Sequence, residues 1–179
     1  MSDQPAIGII GGTDRLDSNT AKVVQAYRQV AEAEGVAVTW MDLDRLPRDL
    51  DRIGPYGEPG PEVLELVSTH VDPFRHLVFV LPEYNGSFPG ILKLFMDAVH
   101  PRHFQGKRVA LVGVSDGRAG NLRGLDQFQA VLNYLKADVI WHKPKLSGIG
   151  RLLDPATGEL QDEGIRQQFR DQLKLLLAG

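Results

Sequence analysis

The chain has 179 residues, enough for one ordinary domain with a full core and too few for two. Its net charge of −3 argues against nucleic acid as a partner, and the absence of cysteine excludes disulfides, thiol nucleophiles and thiolate metal sites. The acidic start, residues 1–5, lacks the basic and apolar regions of a signal peptide, and no apolar run approaches the ~20 residues of a membrane span, so a cytoplasmic protein with no membrane partner is expected.

Strand and helix patterns alternate from end to end. Residues 6–10 read as a short buried strand. A helix starts after Ser18 and runs to about Glu34, with Val23, Val24, Tyr27, Val30 and Ala31 at helical spacing and Gly35 as its C′ residue. Residues 36–41 read as the second strand. Residues 43–61 hold Pro47, Gly54, Pro55, Gly57 and Pro59, which marks an ordered surface loop in which Tyr56 is a candidate for a substrate wall. Residues 62–70 form a short helix and residues 77–81 the third strand. The helix over 91–99 is apolar on nearly every face. Only Lys93 and Asp97 break it, as an i,i+4 pair, so it is either central or part of a subunit contact. Residues 107–114 read as the fourth strand, 121–135 as a helix and 139–141 as the fifth strand. Residues 144–160 are irregular. The last helix starts near Asp162, with Ile165, Phe169, Leu173, Leu176 and Leu177 on its buried face.

Five strands interleaved with helices imply parallel pairing, right-handed crossovers and helices on both faces. The commonest order is 2-1-3-4-5, with a ligand crevice above the carboxyl ends of strands one, three and four. Three polar loops then converge. The first, residues 11–20, offers Gly11 and Gly12, hydroxyls at Thr13, Ser18 and Thr20, the Asn19 amide and the Arg15 guanidinium at a helix start. That set suits a monophosphate. It is neither a Walker loop nor a dinucleotide fingerprint, and Ser18 or Asn19 serves equally well as a helix cap. Asp14 and Asp17 must point outward or pair with Arg15 to spare such a ligand. The second loop, Pro82-Glu83-Tyr84-Asn85-Gly86-Ser87, carries an aromatic ring, an amide and glycine-freed backbone, which suits a flat polar ligand. The third, Ser115-Asp116-Gly117-Arg118, permits backbone approach to a ring edge, with Asp116 or Arg118 on its polar rim.

The run Gly12-Thr13-Asp14-Arg15-Leu16-Asp17-Ser18-Asn19-Thr20 resembles the phosphate loop of the NADPH-dependent FMN reductase family. Residues 82–90, with Leu92-Lys93, resemble that family's flavin loop. The similarity spans about residues 7–135. It implies a single flavodoxin-like FMN-binding domain over residues 1–179, a three-layer α/β sandwich on a five-stranded parallel sheet. It also implies bound FMN, NADPH or NADH as hydride donor, and small-molecule acceptors such as free flavin, quinones or azo dyes. The third loop departs from the family's serine and adjacent glycines, because Asp116 and Arg118 intrude. Two alternatives stand beside this reading: a flavodoxin-type electron carrier, and a flavin-poor binding or regulatory protein on the same fold, which Asp14, Asp17 and Asp116 would favour.

No catalytic side chain is assigned, since the cofactor would carry the chemistry. Asp97, His100 and His103 are spaced by three but interrupted by Pro101, and no metal site is expected. Trp40 and Trp141, at strand ends, read as packing residues. The apolar helix over 91–99 suggests a homodimer or homotetramer.

Overall fold

Strands covered on both faces must be apolar on both, and the central strands here are. The computed structural model describes residues 4–50 and 59–179; Gly54, Pro55, Tyr56 and Gly57 lie outside the described residues. Strands β1 (Ala6–Gly11), β2 (Ala37–Asp42), β3 (His76–Pro82), β4 (Arg108–Ser115) and β5 (Asp138–Val139) pair in parallel in the order β2-β1-β3-β4-β5. Register is set by pairs such as Gly11 with Asp42 and Val80, and Leu81 with Gly113.

Side chains alternate across the sheet with the period of two that strands impose. Ile7, Ile9, Val78, Val80, Ala110 and Val112 join one core with α1 (Asn19–Ala33) and α5 (Glu163–Leu177). Ile10, Leu77, Phe79, Leu81, Val109 and Leu111 join the other, with α2 (Pro61–His70), α3 (Gly90–Ala98) and α4 (Leu122–Tyr134). Helix starts follow the expected chemistry. The Ser18 side chain accepts from Ala21 N, and the Asp162 side chain accepts from Ile165 N. Lys93 and Asp97 form their pair at 2.7 Å.

The far edge differs from expectation. The fifth strand is only Asp138–Val139, and a further strand, β6 (Lys145–Ser147), arises in the stretch expected to be irregular. Both pair with β4, β5 along Arg108–Val109 and β6 along Gly113–Ser115, so two fragments share one position in the sheet. Between the last bond on one side, Ile140 N to Val109 O (2.9 Å), and the first on the other, residues 141–143 leave the ladder. Pro144 accepts from Gly113 N at 2.9 Å but has no N–H to donate. Trp141 is 77% exposed, so it does not pack as expected. Trp40 does pack, with the Arg28 and Arg45 guanidinium groups 6.0 and 5.4 Å from its ring centroid. Gly113 allows the third loop to close over β4, because a Cβ there would run into the Gly120 carbonyl.

The break is held from above. Fully buried Gln172 on α5 donates through Nε2 to Leu111 O (2.9 Å) and His142 O (2.8 Å). Gln172→Ala leaves both carbonyls without that donor. We expect a loss of about 2–6 kcal/mol in urea unfolding, at about 1–3 kcal/mol for each of the two carbonyls. A loss under ~1 kcal/mol would mean that the gap does not depend on Gln172.

Candidate functional site

The carboxyl edge of the sheet opens into a cleft of about 270 Å³. It is bordered by Arg15, residues 17–20, residues 82–84, residues 114–116 and Ile149. Four loops therefore meet there, where three were expected. Among the candidate residues, Arg15, Ser18, Asn19, Thr20, Pro82, Glu83, Tyr84, Ser115 and Asp116 come together on it. Thr13, Asn85, Gly86, Ser87, Gly117 and Arg118 do not border it.

The first loop is organised by Thr13 and Ser18. Buried Thr13 is turned away from the cleft. Its Oγ1 accepts from Arg15 N (3.2 Å) and shares a 2.8 Å hydrogen bond with Tyr84 Oη, joining the first loop to the second. Ser18 does cap α1, with its Oγ 3.0 Å from Ala21 N, and also borders the cleft. The first N–H groups of the helix, at Asn19 and Thr20, have no intrahelical acceptor and add partial positive charge. Arg15 is exposed and makes no ion pair with any described residue, Asp17 included. Asp17, at φ 49°, is exposed and borders the cleft, and it makes no ion pair with Arg15.

The second loop leaves the cleft after Tyr84. Tyr84 N donates to Ser87 O (2.9 Å) and Ser87 N to Tyr84 O (3.0 Å), closing a two-residue hairpin. Asn85 and Gly86 both have positive φ, 52° and 77°, as a type I′ turn requires, and Asn-Gly is the strongest sequence signal for that turn. This segment packs toward α4, where Ser87 Oγ donates to Gln127 Oε1.

In the third loop Ser115 Oγ accepts from Gly117 N (3.0 Å). Asn121 sits left-handed (φ 66°) and fully buried, and its Nδ2 donates to Leu81 O (2.8 Å), so the start of α4 is tied to the end of β3. The fourth loop is not among the three that the sequence predicts. It follows β6 as a short turn, Ile149–Arg151. Asp116 holds it, with Oδ1 accepting from Gly150 N at 3.1 Å. The carboxylate that seemed intrusive in the sequence is thus bonded to the wall that carries Ile149.

Asp42, at the end of β2, underlies the first loop. Burial first, and the neighbouring Asp44 charge second, push its carboxyl up to about 6, while Arg45 pulls it down. Its Oδ1 is buried and lies where a Cβ on Gly11 would have to go, so the residue there has none.

The family model described as NADPH-dependent FMN reductase matches residues 5–144. An NAD(P)H-dependent FMN reductase of Pseudomonas aeruginosa is 29% identical over 182 residues, covering 98% of this chain and 95% of that protein. A quinone reductase of Escherichia coli is 28% identical over 184 residues, covering 97% and 94%. Among solved structures, a flavoenzyme NAD(P)H:acceptor oxidoreductase of Paracoccus denitrificans superposes with a TM-score of 0.74 at 20% identity, covering 96% of this chain and 98% of that one. That last likeness concerns the fold.

The Asp116 contact is testable without any ligand. Asp116→Ala should speed hydrogen exchange at the Gly150 amide by about tenfold, the loss of roughly 1.4 kcal/mol of protection. Asp116→Asn keeps an accepting oxygen and should change it little. Equal exchange in all three proteins would show that the carboxylate does not hold the turn.

Proposed function

The chain belongs to the NADPH-dependent FMN reductase family, and from that membership we propose that its four-loop cleft holds FMN while NAD(P)H and a small-molecule acceptor use it in turn. The observation that carries this reading is the start of α1. An unpaired guanidinium, two free N–H groups and hydroxyls face a polar cleft at the carboxyl edge of a parallel sheet. These donors fit a phosphate monoester. In this reading Arg15, Ser18, Asn19 and Thr20 hold the phosphate. Pro82, Glu83 and Tyr84 flank the ring, and Ser115, Asp116 and Ile149 face its edge, with Gly117 and Arg118 behind them. Thr13, Asn85, Gly86 and Ser87 act one step back, by fixing Tyr84 and the turn behind it.

FMN supplies the ring that takes and gives hydride; the chain binds and orients. No side chain is asked to move a proton. The Tyr84 hydroxyl, the nearest candidate, is engaged by Thr13. The acceptors we favour are quinones, free flavin or azo compounds, taken singly because the cleft, at about 270 Å³, lies just below the roughly 300–1,000 Å³ of ligand pockets. Among the described residues no helix is long and apolar enough to cross a membrane, and we read the protein as cytoplasmic. An apolar hollow of about 510 Å³ between α3 and α4, rimmed by Met96, Val99, Val131, Leu135 and the exposed Tyr134, favours a homodimer or homotetramer.

Two measurements test this reading. Double-reciprocal plots at several acceptor concentrations should be parallel, as two-step exchange through one cleft requires; intersecting lines would show donor and acceptor bound together. Tyr84→Phe should leave the single-turnover rate of flavin reduction, with FMN saturating, within about threefold, under ~1 kcal/mol of barrier. A loss of a hundredfold would place the hydroxyl in the chemistry.

A further inference from the structure

Asp42 closes β2 and stands at the N-cap place of the short turn Leu43–Arg45, yet its side chain makes no cap bond there. It leans instead over the end of β1, where its register partner is Gly11. Its Oδ1 is buried, makes no hydrogen bond with a described residue, and lies where a Cβ on Gly11 would be. That same Cβ position is 3.3 Å from Val24 Cγ2 on α1. The carboxyl group therefore sits between the end of β1 and the underside of α1. A buried, unbonded carboxylate oxygen is costly, and a bond to the turn it heads would have satisfied it.

The first loop is pinned to this strand end, because Leu43 N donates to Thr13 O at 3.2 Å. Thr20, which borders the cleft, stands one helical turn before Val24 on the same face of α1. The carboxyl group thus lies about one turn of helix behind the donors that face the cleft. The charges around it are mixed. On the turn, Asp44 favours the neutral acid, as burial does more strongly, and Arg45 favours the carboxylate; the balance pushes the group up to about 6. On α1, Arg28 pairs with Glu32 at 3.3 Å, and Lys22 lies over Gly158. In the first loop Asp14, Arg15 and Asp17 are exposed. A charge whose oxygen is shut off from solvent is screened by salt less than those three are.

We propose that Asp42 sets how tightly the first loop holds the FMN phosphate: as a carboxylate it repels the phosphate from behind the loop, and as the neutral acid it does not. This rests on the reductase reading above and adds to it a proton linked to the cofactor. By reciprocity, phosphate binding raises the proton affinity of Asp42 by the same factor that ionisation of Asp42 removes from FMN affinity. Riboflavin, which has no phosphate, is indifferent to the charge.

The test is fluorimetric titration of the flavin-free protein with FMN and with riboflavin, between about pH 5 and about pH 8, for the wild type and Asp42→Asn. Asparagine keeps the shape and stays neutral. A phosphate monoester loses its own second proton near ~6, but it does so against both proteins, so the ratio of their dissociation constants reads Asp42. At the acid end the two should bind FMN alike. At the alkaline end the wild type should bind FMN about tenfold more weakly than Asp42→Asn, the scale of one like charge near a partly buried site. The ratio for riboflavin should stay constant. With no variant at all, the Asp42 carboxyl carbon, followed by NMR, should hold its proton about tenfold more tightly with FMN bound than with riboflavin bound. An FMN ratio that does not change with pH, a riboflavin ratio that changes equally, or the same Asp42 titration with both ligands would overturn the proposal. No binding of FMN by either protein at any pH would overturn the reductase reading, and the proposal with it.

Discussion

A parallel sheet imposes one constraint from which the rest of this structure follows: strands β1 to β5 all leave at the same edge, and the chain must cross a face to pass from one of them to the next. The carboxyl edge therefore collects all the strand-to-helix loops. Here it collects the loops after β1, β3, β4 and β6, and each contributes to one cleft. Alternating side chains split the apolar residues into two cores, which keeps the sheet itself dry and stiff beneath that cleft.

Loops gathered at an edge still need fixing relative to one another, and hydrogen bonds between them do this. Thr13 meets Tyr84, Asn121 holds Leu81, and Asp116 holds Gly150. Each joins residues far apart in sequence across two neighbouring loops. Together they leave Arg15 and the first N–H groups of α1 as the uncommitted donors of the cleft. That division of labour explains why several polar residues which looked like ligand contacts face the protein instead. It also places the acidic residues. Asp116 is spent on a wall, Asp42 is half-buried under the first loop with its carboxyl pushed up by burial, and Asp17 alone of the three borders the cleft without a bonded partner of this kind.

Much of the fold was legible because its signals are local. The Ser18 and Asp162 caps, the Lys93–Asp97 pair, the apolar strands and the strand order all follow from short-range patterns or chain topology. What stayed hidden was non-local. Lys145–Ser147 holds a single apolar residue between two polar ones and becomes a strand only because β4 offers it a free edge. The break before it is set by Pro144 and by Gln172, a residue 28 positions later, on another element. Asp116 looked like an obstacle because its acceptor role depends on Gly150, 34 residues away. Asn85-Gly86 marks a type I′ turn by its dipeptide alone, and its glycine, which in the sequence suits close approach of a ligand, serves the hairpin in the structure. Along the cleft, the sequence located the three loops it could see as polar turns after strands, and not the fourth.

We propose that four loops at one sheet edge hold FMN, phosphate end at α1. Amide hydrogen exchange with and without saturating FMN reports every one of those loops at once. Slowed exchange is expected at residues 12–20, 82–87, 115–121 and 147–151 and nowhere else, with riboflavin protecting all of these except the 15–20 segment, which needs the phosphate. Protection along the α3–α4 hollow instead, or full protection of 15–20 by riboflavin, would contradict it.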